Sequence, residues 1–106
     1  MAQIIWTEPA LNELEEIADF IALDKFEAAQ ALVRAVFDRV ELLENQPKSG
    51  RNPPELPQNS IYREVVVGPC RVFYRPERDK IIIIHVMRSE RALRKFLLED
   101  RAKTSS

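Results

Sequence analysis

Six arginines, Arg63, Arg71, Arg75, Arg88, Arg91 and Arg94, crowd the second half of this 106-residue chain. A guanidinium offers five N–H donors in a planar fork, stays charged when partly buried, and matches phosphate or carboxylate oxygens two at a time. Two ligand chemistries follow: a nucleic-acid backbone, or an acidic peptide laid along the surface. Cys70 and His85 are the sole cysteine and histidine, and together they could make a thiolate–imidazole pair. Glu13, Glu15, Glu16 and Asp19 have the chemistry of metal ligands, but with no histidine nearby they read as the wet side of a helix. No phosphate-cradling glycine loop and no GxSxG elbow is present.

These residues must be positioned by one small domain, since 106 residues rarely divide. A 45% hydrophobic content suffices for a core, and a single cysteine excludes an intrachain disulfide framework. One cysteine and one histidine leave almost nothing for zinc, so neither metal nor cofactor is expected. The opening MAQIIWTEPA lacks the basic-then-apolar pattern of a secretory signal, and no apolar run has the length of a membrane span. The expectation is a cytoplasmic protein. Its net charge of −1 conceals a split: residues 1–50 hold 4 basic and 10 acidic side chains (−6), and residues 51–106 hold 12 and 7 (+5). Such asymmetry points to a directed partner surface.

Gln3–Trp6 is a short β-prone run, ended by Thr7 as a helix N-cap with Pro9 in the first turn. Leu11, Leu14, Ile17, Ala18 and Ile21 then recur at helical spacing. Asp24 with Glu27 suggests a capping box for a second helix, whose face carries Ala29, Leu32, Val33, Val36, Phe37, Val40 and Leu43. Gln46–Asn59 holds four of the seven prolines and is a loop. Ile61–Val67, Cys70–Arg75 and Lys80–Met87 form a three-strand antiparallel meander, and Ser89 caps a short helix over Glu90–Leu98. The predicted class is α+β, β-α-α-β-β-β with a short C-terminal helix, the helix hairpin lying on one face of an antiparallel sheet. The domain is expected over residues 1–100, with a disordered tail at 101–106.

Register follows from the turns. A two-residue turn at Gly68-Pro69 pairs positions summing to 137, and a four-residue loop at 76–79 pairs those summing to 155. Alternation then puts Val65, Val67, Cys70, Val72, Tyr74, Ile81, Ile83, His85 and Met87 under the helices. Tyr62, Glu64, Val66, Arg71, Phe73, Arg75, Lys80, Ile82, Ile84 and Arg88 share the other face. That second face is expected to be open, an interface for a partner, the alternative being that the proline-rich loop or the C-terminal helix folds over it. Cys70 and His85 stand opposite one another on the core face, as a buried hydrogen-bonded pair rather than a reactive dyad.

Several local runs, in order, resemble a known family. They are Ile5-Trp6-Thr7-Glu8-Pro9-Ala10, Leu14-Glu15-Glu16-Ile17, Glu27-Ala28-Ala29, Pro47-Lys48-Ser49-Gly50-Arg51, Tyr62 through Pro69, Arg71-Val72-Phe73-Tyr74-Arg75 and His85-Val86-Met87-Arg88. From Ile4 to about Leu97 the chain resembles the RelE/ParE toxins of bacterial type II toxin–antitoxin modules, often labelled plasmid stabilisation proteins. The resemblance implies the same helix hairpin on a sheet. It also implies one of two activities: metal-free, ribosome-dependent mRNA cleavage in the RelE-like branch, or inhibition of DNA gyrase in the ParE-like branch.

Measured against the nuclease branch, Arg71 matches the strand arginine and Arg88 or Arg91 approximates the second. Arg63 stands in place of a lysine, and the C-terminal tyrosine has no counterpart, since Lys95 and Phe96 occupy that neighbourhood. An always-protonated arginine is a poor general base. The departures imply a ParE-like toxin with no catalytic set, neutralised by a cognate antitoxin in a hetero-oligomer. Arg71, Arg75, Arg88 and Arg91 are its candidate partner contacts, anchored by Tyr62 and Phe73. The alternative is an mRNA interferase acting on ribosome-bound message through Arg63, Arg71, Arg88 and His85.

Overall fold

The computed structural model describes residues 1–94 and 97–101. Residues 102–106, and with them nearly all of the predicted tail, lie outside the described residues. Strand β1 (Gln3–Trp6) leads into helices α1 (Glu8–Ala22) and α2 (Phe26–Glu41). A 3-10 turn (Leu42–Glu44) precedes strands β2 (Arg63–Val67), β3 (Cys70–Pro76) and β4 (Lys80–Arg88). The sheet order is β1-β4-β3-β2: the meander is antiparallel, and β1 adds to β4 in parallel, making the sheet mixed.

Thr7 joins the first strand to the first helix. Its hydroxyl oxygen accepts from Ala10 N–H and its O–H donates to the Ile83 carbonyl at 2.8 Å, so one side chain caps α1 and ties it to β4. The second cap differs from expectation. Leu23, Asp24 and Lys25 still donate N–H to α1 carbonyls, so α2 begins only at Phe26, with Lys25 at its N-cap and no side-chain bond there. Asp24 comes one residue too early.

Alanines and aliphatics of the hairpin (Ala10, Leu14, Leu32, Val36, Val40) seal one face of the sheet over Val65, Cys70, Val72, Tyr74, Ile81, Ile83 and Val86. Trp6 lies 4.9 Å from the Phe37 ring and closes the edge. Gly50 is required by close approach: a Cβ there would fall 2.5 Å from the Tyr74 hydroxyl, which accepts from Gly50 N–H and donates to Pro47 O. These bonds lash the proline-rich loop to the core.

The β2–β3 register is the one expected, Val65↔Val72 and Val67↔Cys70, with Gly68 supplying the positive φ of 53°. The β3–β4 register is not. Tyr74 faces Ile83 and Pro76 faces Ile81, two residues from the predicted pairing, because the connection is a tighter loop of Glu77-Arg78-Asp79. A shift of two leaves every face unchanged. Between Phe73 and Tyr74 the register slips once more, and Ile84 is the extra residue of a bulge. That single residue exchanges the faces beyond it, so His85 stands opposite Phe73 and Val86 opposite Val72. His85 and Met87 leave the core face, and Cys70 faces Arg88 instead of His85.

The second face is covered rather than open. Tyr62, Phe73, Ile82 and Ile84 are buried against Leu93 and Leu98, with Leu56 of the loop packed beside them. The segment that does this is not the predicted Glu90–Leu98 helix: residues 89–94 are turn, bend and irregular chain, Lys95 and Phe96 lie outside the described residues, and the helical turn spans 97–101. Backbone groups of 89–94 are claimed elsewhere. Ser89 N–H goes to Pro69 O, Leu93 N–H to the Glu55 carboxylate, and Arg91 O accepts from Arg71.

Candidate functional site

Beneath that strap, two glutamates enclose Arg71. Its Nε donates to Glu64 at 2.7 Å and Nη2 to the same carboxylate at 3.1 Å. Nη1 and Nη2 donate to Glu55 at 2.9 and 2.7 Å, and Nη1 also reaches the Arg91 carbonyl at 3.0 Å. All five N–H donors are used, twice in bidentate geometry. The guanidinium also lies over the Phe73 ring, 4.9 Å from its centroid. Arg51 bonds Glu64 from the outside at 3.0 Å. Hydrogen bonds from Arg71 hold the Glu55 carboxyl at about 2, and the two carboxylates in turn raise Arg71 further above its ordinary value.

The arginine fork expected to grip a partner thus grips its own chain. Arg71 is 4% exposed, Tyr62 9% and Phe73 0%, so none of these three predicted contacts is available at the surface. Arg63, across from Tyr74, spends its guanidinium on the carbonyls of Gly50 and Lys48. Arg75 is half-buried beside Glu77 at 3.3 Å, its Nε without a partner among the described residues. Arg88 moves with the bulge to the α1 side, where it lies over the Phe20 ring and pairs with Glu90 at 2.6 Å. Arg91 and Arg94 alone of the six keep exposed side chains that make no ion pair among the described residues.

His85 joins a second polar cluster. Its Nδ1 is 2.9 Å from the Glu13 carboxylate, which also accepts from Val86 N–H at 3.1 Å and from Arg101 at 3.1 and 3.3 Å. A carboxylate can only accept, so it fixes the ring proton on Nδ1. Burial works to raise Glu13, but the bonds from His85 and Arg101 outweigh it and hold the carboxyl below its usual value. The His85 ring stacks on Phe73 at 5.6 Å. Cys70 takes no part: it is fully buried on the helix side, and burial pushes its thiol up, away from a reactive thiolate.

Glu13 and Glu55 are the residues that sequence reasoning missed. By its spacing Glu13 reads as wet face, yet it precedes Leu14 on the border of the apolar stripe and is only partly exposed. Glu55 offered no signal, because its role depends on where a proline-rich loop folds.

Beside the Glu13–His85 cluster, α1 and the end of β4 frame an open groove of about 700 Å³. Ile17 and Phe20 of α1, His85 and Met87 of β4, and Arg91 and Arg94 beyond it all line this groove. Among the described residues no three potential ligands are grouped to hold a metal, and no helix is long and apolar enough to cross a membrane.

A helix hairpin packed on a four-stranded sheet is the architecture that the resemblance to the RelE/ParE toxins implies. Residues 4–93 match the family described as the ParE toxin of the type II toxin–antitoxin system parDE, and the chain belongs to that family. It is a ParE-like type II toxin. Among solved structures it is similar to a chain of the chromosomal ParDE toxin–antitoxin system from P. aeruginosa, with 26% identity and a TM-score of 0.68 over 85% of this chain and 98% of that one. No curated protein matches it.

Proposed function

We propose that this toxin inhibits DNA gyrase in the cytoplasm without cleaving RNA, and that a cognate antitoxin neutralises it by forming a hetero-oligomer. The observation that carries this reading is the state of Arg71. Metal-free RNA cleavage needs cations free to hold charge developing on the phosphate, and a base near the 2′-OH. Arg71 has every donor occupied, Arg63 is committed to backbone carbonyls, and Arg88 lies on the other side of the bulge. Two acids touch Arg71 at 2.7 Å: Glu64 is fully buried between two arginines, and Glu55 is held by both Arg71 and Leu93 N–H. These features support the branch whose action needs no catalytic constellation.

Two assays on one preparation test it. Purified chain is expected to block gyrase supercoiling or to trap cleaved DNA, while ribosome-bound mRNA stays intact. Codon-dependent mRNA cleavage with undisturbed gyrase would overturn the proposal.

A further inference from the structure

We propose that the end of the molecule around Lys48–Arg51 is a contact surface for the phosphate backbone of duplex DNA. It rests on the gyrase reading above for the source of that DNA, the segment on which the enzyme acts. Arg39, Lys48 and Arg63 meet on this one loop, and none of them makes an ion pair among the described residues. Arg39, near the end of α2, donates Nη2 to Ser49 Oγ at 3.3 Å. Arg63, at the start of β2, donates Nη1 to the Gly50 and Lys48 carbonyls at 2.8 and 3.3 Å, which braces the backbone that carries Lys48. Arg51 exchanges both backbone bonds with Glu64 and spends Nε on its carboxylate, while its side chain stays 58% exposed.

The fold leaves this end open. β2 is the last strand of the sheet, and beyond it lies only the single Arg51↔Glu64 bridge. Cations on a braced backbone lose less freedom when they meet a ligand. Phosphate is the ligand that fits. Residues 45–54 contain Lys48 and Arg51 but no acid and no large apolar side chain, so a protein partner would meet charge with no anchor to bury. The acidic helix α1 packs over β4, away from the β2 edge, so the charge separation read along the chain also turns this end toward a polyanion. Exposed Asp38 and Glu41 flank Arg39 in sequence and confine the contact to the loop and the β2 edge.

The test uses the whole chain and a fluorescein-labelled DNA duplex of mixed sequence, its anisotropy followed from about 50 to about 200 mM salt. Lys48→Gln with Arg51→Gln is expected to weaken binding about tenfold or more at the lower salt and to make the log–log salt slope shallower by about 2. Lys48→Gln alone removes an exposed side chain that holds nothing in the fold, and should give about half of that slope change. Lys25→Gln with Arg34→Gln takes the same charge from exposed positions elsewhere on the hairpin and should leave the slope unchanged. In a supercoiling assay the loop double variant should need about tenfold more protein for equal inhibition, while capturing gyrase without DNA as well as the parent does. A parent that does not bind the duplex, loop variants that bind it undiminished, or an equal loss in the hairpin control sinks the inference and leaves the gyrase reading standing. So does a loop variant that loses the duplex yet inhibits gyrase fully. Binding that is as tight for poly-glutamate, or tighter for duplex RNA, overturns the choice of DNA. A parent that binds the duplex as described but spares gyrase removes the gyrase reading alone.

Discussion

Arg71 and Glu64 have almost no contact with water, at 4% and 0% exposure. Desolvating such a pair costs several kcal/mol per ion, and the attraction and hydrogen bonds between them offset it only while both are present. Arg71→Ala is therefore expected to lower unfolding free energy by about 3–5 kcal/mol, since the enclosed Glu64 would keep only the exposed Arg51 as a partner. Arg71→Lys keeps the charge but cannot reach two carboxylates in bidentate fashion, so it should fall between the two. Arg71→Met combined with Glu64→Leu should recover part of the loss; urea denaturation of the set reads the order directly. Glu55 gives the same cluster a pH signature. Its carboxyl lies at about 2 against the ordinary 4.5, so its contribution is complete above that ordinary value and disappears as pH falls from about 4.5 toward 2. Melting temperature should hold steady down to about pH 5 and drop below it, and Glu55→Gln should flatten part of that drop. A variant with the parent's acid profile would show that Glu55 is not the group responsible.

Elements are joined in this fold by a few side chains that serve two structures at once, and Thr7 is one. Removing its hydroxyl loses the cap of α1 and the bond to Ile83 O together. Thr7→Ala should cost about 1–2 kcal/mol and Thr7→Ser far less, as measured by thermal unfolding. Cost of that size in the serine variant would mean that the methyl group, not the hydroxyl, matters. Thr7 was legible in the sequence because a cap depends on its immediate neighbours. The β2–β3 register was legible for the same reason, with Gly68 and Pro69 defining the turn. The bulge at Ile84 was not, since nothing within Ile81-Ile82-Ile83-Ile84 distinguishes one isoleucine from the next. Its cause lies in the other elements that claim the β4 backbone: Thr7 takes Ile83 O and Glu13 takes Val86 N–H, with Ile84 and His85 between them. One unreadable residue moved His85, Met87 and Arg88, the first and last of them candidate site residues. The cover over the second face is legible only as the alternative to an open interface, for a related reason. It is made by short apolar contacts from Leu56, Leu93 and Leu98, which have no periodicity to announce them.

At the scale of the molecule, the sheet is a shared wall between two cores. Phe73 and Tyr74 are neighbours in β3, yet one is buried toward the strap and the other toward the hairpin; Ile82 and Ile83 divide β4 in the same way. Strands held from both sides should not lose one layer and keep the other at full strength, because each layer fixes the backbone on which the other packs. The strap has its own handles, however, in Arg101 on Glu13 and Leu93 N–H on Glu55, and these could let it open alone. Leu98, 1% exposed on the final helical turn, separates the two cases. Trp6 reports from the opposite side of the sheet, where it packs with Phe37 on the hairpin core. If the layers are one cooperative unit, Leu98→Ala should lower the urea midpoint of Trp6 fluorescence by an amount equivalent to about 2–5 kcal/mol, with unchanged slope. A strap that opens independently would leave the Trp6 transition where it was while amide exchange at Leu93 accelerates. The first outcome would mean that a partner seated against the strap stabilises the entire toxin, and the second that it stabilises only the wall it touches.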